Sequence, residues 1–525
     1  METTGQWLTT TIETVYGWVW SPALVVLCLV AGLYFSFRTR FVQVRFFREM
    51  ARLLFKGDKT KDKKSKVGIS SFQAFAMALS GRVGTGNIVG VATAIGFGGP
   101  GAIVWMWAIA FFGAGSAFVE ATLAQIYKEN HNGQFRGGPA YYIEHGLNSP
   151  LMGCLFAVVA ALACGVLLPP VQCNGIALSC FRSFGVDVWV MGLVVATLIA
   201  LVIIGGVKRI ASVAQIVAPV MAVVSIILSL IVLAVHWQIV PDMFMQMLRG
   251  AVGVNEVGGA LLGTTIAWGV KRGIYSNEAG QGTGPIAAAA AEVSHPVKQG
   301  LVQAFSVYID TLLVCTATAI MILACKTYNI VDTVQQTPEG AVVTYLQQNP
   351  AAPEGEPGVY YTAEALGTLM GDNVGDMIVS IALFFFAFTT IMAYYYYAET
   401  NIVYLFNRYR RRVYKKHPER LDELERQDMV LDGTAGEAIV VWTLRTCTIC
   451  TVFVGSLVGS GIVWTVGDIG VGIMAWVNVV SILLLAPKAL RTLRDYERQR
   501  KQGIEPRFDP DKLRIKNVEY WKNEK

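Results

Sequence analysis

Ser80-Gly-Arg-Val-Gly-Thr-Gly-Asn87 and, further on, Gly263-Thr-Thr-Ile-Ala-Trp268 running into Ser276-Asn-Glu-Ala-Gly280 put glycine and polar residues inside apolar stretches where a membrane helix should be continuous. In hydrocarbon every backbone N–H and C=O must find a partner, so an unwound segment persists only where it lines a cavity or holds a ligand. A pair of such breaks points to a secondary transporter.

Around these two stretches the chain reads as a polytopic membrane protein. Of its 525 residues 54% are hydrophobic and only 15% charged, more apolar surface than a soluble fold could hide. Runs of roughly 20 apolar residues predict helices at about 18–36, 69–98, 101–127, 151–172, 186–206, 211–237, 254–287, 299–325, 376–404, 437–459 and 464–486. The expected fold is therefore all-α, with about eleven transmembrane helices. With the first set aside, the breaks fall in the first and sixth of the ten that remain, so each opens a block of five. That placement is what a 5+5 inverted repeat, with two broken helices as mates, requires. The expected divisions are an N-terminal helix with a basic linker (1–66), a first repeat (67–253), a second repeat (254–487) that includes an extracellular loop (327–375), and a basic tail (488–525).

The net charge of +6 is not a nucleic-acid signal, because Lys and Arg gather in particular loops. Most of them lie at 38–66, 408–426 and 488–525, whereas 1–17 and 327–375 hold none. The positive-inside rule puts the basic loops in the cytoplasm, and an odd helix count then sets the N-terminus outside and the C-terminus inside. The first helix lacks a basic n-region and a small-residue cleavage site, and reads as a retained span. Loop 327–375, rich in Glu, Gln and Pro, is expected to form short helices or an extracellular cap. Alternating charges in 407–432 and the tail predict a solvated or headgroup-lying helix. The nine cysteines sit mostly in apolar spans, and Cys447-Thr-Ile-Cys450 lacks the context of a redox or metal motif.

At the first break, Gly84-Thr-Gly-Asn87 offers unobstructed backbone N–H groups ahead of a half-helix N-terminus, which favours a carboxylate. The end of the preceding half-helix, near Ser80 to Val83, exposes carbonyls suited to a small cation. The bland alternative is a glycine face for close helix packing, with Gly86 and Gly90 as its pair. A nucleotide loop is excluded by the lack of a βαβ context. The second break offers Thr264, Thr265, Trp268, Ser276, Asn277 and Glu278; Trp268 would shrink a pocket, or only pack. Lys271 and Arg272 anchor the segment or pair with acidic groups. Thr389-Thr390, in the aromatic helix Phe384 to Tyr397, supply adjacent hydroxyls suited to a hard cation, against plain back-bonding to the preceding turn. Arg82, Glu120, Glu278, Asp310 and Arg445 are ionisable groups within spans, expected to face the interior or to pair. Gln172 and Asn174, after Pro169-Pro170, are placed near the end of a span and could line a cavity.

Four stretches carry a resemblance: Gly84-Thr-Gly-Asn-Ile-Val-Gly-Val-Ala-Thr-Ala-Ile95, Gly98-Gly-Pro-Gly-Ala-Ile-Val-Trp-Met-Trp107, Gly137-Gly-Pro-Ala-Tyr-Tyr142 and Trp268-Gly-Val-Lys-Arg-Gly-Ile-Tyr-Ser-Asn-Glu-Ala-Gly280. They resemble the alanine or glycine:cation symporter family, which shares the leucine-transporter-like core of the amino acid–polyamine–organocation superfold. Val104 stands where that family usually has Phe, a mild departure. The resemblance implies Na⁺-coupled uptake of small neutral amino acids, alanine and glycine above all, by alternating access in a plasma membrane, bacterial inner membrane included. It implies backbone amides of Thr85 and Gly86 on the substrate carboxylate, with Thr264, Trp268 and Gln172 lining the pocket and Trp268 limiting side-chain size. Carbonyls of Ser80 and Val83 with hydroxyls of Thr389 and Thr390 would hold the co-transported sodium ion. Asn87 would contact the pocket or a second ion. The expected partners are the amino acid, Na⁺ and membrane lipid, with no nucleic acid.

A proton-driven or exchanging carrier on the same fold is the nearest alternative, with Arg82 or Lys271 as the basic group that would take the place of the ion. A channel should show pore rings or a filter sequence, and none is visible; a receptor would need a signalling domain. No nucleophile with a base, metal cluster or cofactor motif suggests an enzyme.

Overall fold

The computed structural model describes residues 2–56, 68–131, 133–254, 261–337, 340–355, 357–416 and 435–522. Among them eight helices are long and apolar enough to cross a membrane: Thr9–Arg38, Ala102–Ile126, Pro150–Phe184, Gly206–Val235, Pro296–Cys325, Asp372–Arg412, Gly436–Leu457 and Ser460–Lys501. Gly86–Gly98 and Val188–Ile203 are shorter apolar helices. The outward faces keep large apolar side chains such as Val26, Leu201, Ile216 and Leu230 exposed, a surface suited to hydrocarbon rather than water. After the first long helix, the stretches 71–235 and 261–501 each open on an interrupted helix followed by four longer helices, with the short helices Pro139–Leu147 and Val359–Met370 among them. The fold is a helical membrane fold.

The boundaries depart from the expected ones in instructive ways. Helix Pro150–Leu162 passes through a π-turn, Ala163–Leu167, and continues as Leu168–Phe184. Pro169 and Pro170 therefore do not end it. They fall in the first turn after the π-turn, where the regular hydrogen-bond ladder is already interrupted and a missing N–H costs little. Gln172 is consequently mid-helix rather than near an end, and lies next to the first break.

The loop expected to hold short helices contains an antiparallel hairpin, Ile330–Thr337 with Gly340–Gln347, followed by helix Val359–Met370. Its β-branched residues Ile330, Val331, Thr333 and Val334, and Val342, Val343 and Thr344, suit strands. A second small hairpin joins Glu129–His131 to Gln134–Arg136. The fold is thus helical with two small two-stranded sheets. Residues 417–434, most of the loop expected as a charged helix, and 255–260, the start of the segment expected from 254, lie outside the described residues. The tail keeps many of its residues exposed but is anchored rather than free. Helix Ser460–Lys501 runs past the apolar span, and 503–522 then turn back so that Ile515, Val518 and Trp521 are buried.

Candidate functional site: two broken helices

Helix Ser71–Arg82 starts on a capping box, in which Ser70 Oγ accepts from Gln73 N and the Gln73 side chain accepts from Ser70 N. It stops at Val83, whose ψ of 92° is extended. The chain resumes as a π-turn, Gly86–Gly90, and then helix Val91–Gly98. The freed backbone groups are taken by side chains, as a break at membrane depth requires. Asn87 Oδ1 accepts from Gly84 N at 2.8 Å, and Gln172 Oε1 from Thr85 N at 3.0 Å. Gln172 Nε2 remains buried without a partner. A Cβ on Gly84 would lie 2.5 Å from Thr390 Oγ1 and 2.8 Å from Gln172 Oε1, so only glycine lets both reach the backbone.

On the other side of Gly84 stands the oxygen cluster expected for a cation. Thr390 Oγ1 is 2.7 Å from the Ser80 carbonyl and 3.1 Å from that of Val83, with Phe386 O at 3.0 Å. Thr389 is turned away from this cluster; its hydroxyl donates to Phe385 O and Phe386 O, each at 3.0 Å, the back-bonding arrangement. Ser80, Val83, Thr390, Thr85, Gln172 and Asn87 are therefore brought together around Gly84. Asn87 also reaches deeper, donating to Asp310 Oδ1 at 2.7 Å, whose other oxygen accepts from Ser276 and Thr311 at 2.8 and 2.7 Å.

The second break lies further along than the sequence suggested. Leu261–Asn277 is one continuous helix, so Gly263 to Trp268 are helical, and the interruption runs from Glu278 to Thr283 before helix Gly284–Ala289. Glu278, Gly280 and Gly282 have φ of 55°, 84° and 95°. Gly269 and Gly273 lie within the continuous helix. A Cβ there would lie 2.4 Å from Ala102 O and 2.3 Å from Ile109 Cγ2, so they admit helix Ala102–Ile126 closely. At the break itself Glu120 accepts from Gly280 N at 3.3 Å, and Asn478 donates to Gly280 O at 2.9 Å and to Glu120 at 2.8 Å. Arg82 donates to Ser306 Oγ and Gln303 and forms no ion pair with Glu278 or Asp310. Arg445 donates to the Tyr395 hydroxyl, and Asn174 to Gly455 O and Val458 O, away from the break.

Thr264 and Trp268 are not gathered with the others. Thr264 is exposed, and half-buried Trp268 stacks on Phe97 with ring centroids 4.6 Å apart. The aromatic ring at the break is Tyr275, whose Cδ1 would be 3.1 Å from a Cβ on Gly86 and whose ring meets Trp464 at 5.2 Å. Lys271 and Arg272 do pair with an acid. Arg272 binds Asp468 through both nitrogens at 3.2 and 3.0 Å, and Lys271 approaches it to 3.5 Å. Asp468 was missed as a candidate; its only signal is being a lone carboxylate in the last apolar span.

The model of the sodium:alanine symporter family matches residues 5–417 and 429–510. The chain belongs to this family. Curated relatives agree: the "Sodium/proton-dependent alanine carrier protein" of Bacillus sp. (strain PS3) is 43% identical over 88% of this chain and 96% of its own. The "Amino-acid carrier protein AlsT" of Bacillus subtilis (strain 168) is 37% identical over 97% and 96%. The "Sodium/alanine symporter AgcS" of Methanococcus maripaludis is 35% identical over 90% and 94%. As a member of the sodium:alanine symporter family the chain is a multi-pass membrane transporter and not an enzyme, and the expectation from its broken helices is borne out.

Proposed function

We propose that the chain couples inward movement of Na⁺ to uptake of small neutral amino acids, alanine and glycine first, by alternating access. The observation that carries this is the cluster around Gly84: carbonyl and hydroxyl oxygens of Ser80, Val83 and Thr390 on one side, and the Thr85 N–H with Gln172 on the other. Oxygens suit a hard monovalent cation, and a backbone N–H held only by a side-chain oxygen, with the free amide donor of Gln172 beside it, suits a carboxylate. On this reading the substrate carboxylate displaces Gln172 Oε1 from Thr85 and meets Gly86, while Asn87 links the site to Asp310. Thr389 joins the ion by turning its hydroxyl away from its own helix. Tyr275 covers the side-chain end; Thr264 and Trp268 stand further out, where substrate would enter.

On this reading the N-terminus lies outside and the C-terminus in the cytoplasm, as the basic loops favour, with 67–253 and 254–487 as the two repeats. A membrane potential adds about 2.3 kcal/mol per charge per 100 mV to the sodium gradient, ample to accumulate alanine. The name of the Bacillus PS3 relative favours a second reading, in which protons also drive uptake. Lys271 and Arg82 are engaged by Asp468 and Ser306, so neither takes the place of an ion at Thr390.

The test is uptake of labelled alanine into proteoliposomes under an inward Na⁺ gradient, with K⁺, Li⁺ and a proton gradient as alternatives. Uptake that requires Na⁺ and is competed by glycine supports the proposal. Equal uptake with a proton gradient favours the second reading, and no amino acid movement overturns both.

A further inference from the structure

The last residues fold back onto the ends of both broken helices. Beyond Lys501 the chain turns at Gly503, and Gln499 fixes the return by exchanging hydrogen bonds with Arg507 N and O at 2.9 and 2.8 Å. Phe508 N donates to Ser294 O at 3.0 Å, and Ser294 Oγ to Pro506 O at 2.9 Å. Glu505 pairs with Lys298, and Glu519 with Arg411 at 3.7 Å. Asn517 binds His145 O and Asn148. The strap ends on Trp521, 4% exposed, which donates to Gln125 O at 2.9 Å and packs on Phe508.

Gln125 is the junction. Its amide donates to Ala288 O and Ala291 O, at 2.5 and 2.9 Å, the carbonyls that close the inner half of the second broken helix. Lys128, under Phe135, Tyr520 and Trp521 at 4.1, 4.6 and 5.2 Å, donates to Ala291 O at 2.9 Å. The same segment pairs with the start of the first broken helix: Ile69 N donates to Ala290 O at 3.1 Å, and Glu292 N to Ile69 O at 3.0 Å. Tail, Gln125 and Lys128, and the inner ends of both broken helices form one continuous hydrogen-bonded unit. Carriers with discontinuous helices work by moving one bundle against the other around a fixed site, and this unit ties the chain just before the first broken helix to the chain just after the second.

We propose that residues 505–522 are a latch that holds the cytoplasmic exit shut, and that Trp521 must leave Gln125 before the two broken helices part. This rests on the transport reading for which side is cytoplasmic, and it adds a rate control that the binding site alone does not supply. Tail release makes inward opening more frequent without changing any group around Gly84.

The test places a cysteine on the inner half of the second broken helix, Ala287→Cys, in a Cys447→Ser/Cys450→Ser background, and measures its labelling by an impermeant maleimide from the cytoplasmic side. The tail is then released in two ways, by Trp521→Ala and by cleavage at a protease site inserted between Gly503 and Ile504 in the already folded protein. Either release is expected to raise the labelling rate by about tenfold or more. If cleavage and Trp521→Ala both leave the rate within about twofold, the latch is refuted. A Trp521→Ala protein that does not fold leaves cleavage to decide. Sodium-driven alanine uptake by the uncut protein is followed in parallel: faster labelling without any such uptake keeps the latch and removes the substrate reading, whereas uptake with unchanged labelling does the reverse.

Discussion

Thr390→Val is the sharpest test of the cation cluster. The change keeps shape and volume but replaces the hydroxyl that lies 2.7 Å from Ser80 O and 3.1 Å from Val83 O with a methyl group. Leaving a buried polar group unpaired costs about 1–3 kcal/mol. Loss of one oxygen from the ion's shell is of the same order, and every 1.4 kcal/mol is a factor of ten. The sodium concentration for half-maximal alanine uptake should therefore rise by about 5- to 150-fold. Thr390→Ser, which retains the oxygen, should stay within about threefold. Thr389→Val should fall between them, because that hydroxyl is bonded to Phe385 and Phe386 and must rotate to reach the ion. The assay is initial uptake into proteoliposomes against Na⁺ at fixed potential, with reconstituted protein quantified. If Thr390→Val is indistinguishable from Thr390→Ser, the carbonyls of Ser80 and Val83 do not mark the ion site and the reasoning fails.

Four further outcomes follow from the same geometry. Gly84→Ala should reduce alanine uptake by about tenfold or more at normal membrane abundance, since its Cβ would stand 2.5 Å from Thr390 Oγ1; near-normal uptake would count against the close packing of ion and substrate sides. Asp468→Asn removes one side of a buried ion pair, worth about 3–5 kcal/mol, and should lower the heat-inactivation midpoint more than the double change Arg272→Gln/Asp468→Asn does, which thermal unfolding in detergent can rank. Tyr275→Ala should extend competition to leucine-sized amino acids, whereas Trp268→Ala, about two helical turns further out, should change the range less; the opposite order would restore Trp268 as the size filter. The last outcome concerns His145 and Glu129, 2.8 Å apart beside the tail: burial opposes both charges, but their mutual hydrogen bond, with Arg411 acting on Glu129, raises the histidine pKa and lowers that of the carboxylate. The raised histidine stabilises below its unfolded pKa and ceases to as pH climbs through its folded value; the lowered carboxylate stabilises above its unfolded pKa and ceases to as pH falls through its folded one. The junction is then firmest between the ordinary values of 4.5 and 6.5, so proteolysis of the tail should be faster at about pH 8 than at about pH 6, and His145→Gln should abolish the difference.

The first break could be read from sequence because its signal is local: Gly84-Thr-Gly-Asn87 puts Thr and Asn in a run otherwise apolar, which a glycine packing face does not need. The second was misplaced because glycine has two uses there. At Gly269 and Gly273 it makes room for a neighbouring helix, and only at Gly280 and Gly282 does it permit positive φ; composition does not separate these. Gln172 stands beside the first break although the proline pair before it reads as a helix end unless the π-turn is known. Pairings such as Arg272 with Asp468, 196 residues apart, leave no trace in spacing. The tail shows the same limit. Its alternating charges look solvated, yet its few apolar residues, Phe508, Ile515, Val518 and Trp521, are the ones that decide where it lies.

Gly84 explains why ion and substrate would be coupled at all. Its N–H is held by Asn87, the next N–H along by Gln172, and the space beside its Cα is filled by Thr390. An ion drawn between Thr390, Ser80 and Val83 fixes the end of the inner half-helix, and through Gly84 it fixes the direction in which the Thr85 N–H points. A carboxylate binding at Thr85 must displace Gln172, and it gains most when that N–H is already aimed. Whatever factor Na⁺ contributes to alanine affinity, alanine must contribute to Na⁺ affinity, because the two bindings share one thermodynamic cycle. On the proposed reading a single glycine stands between both ligands, so the factor needs no relay between distant sites.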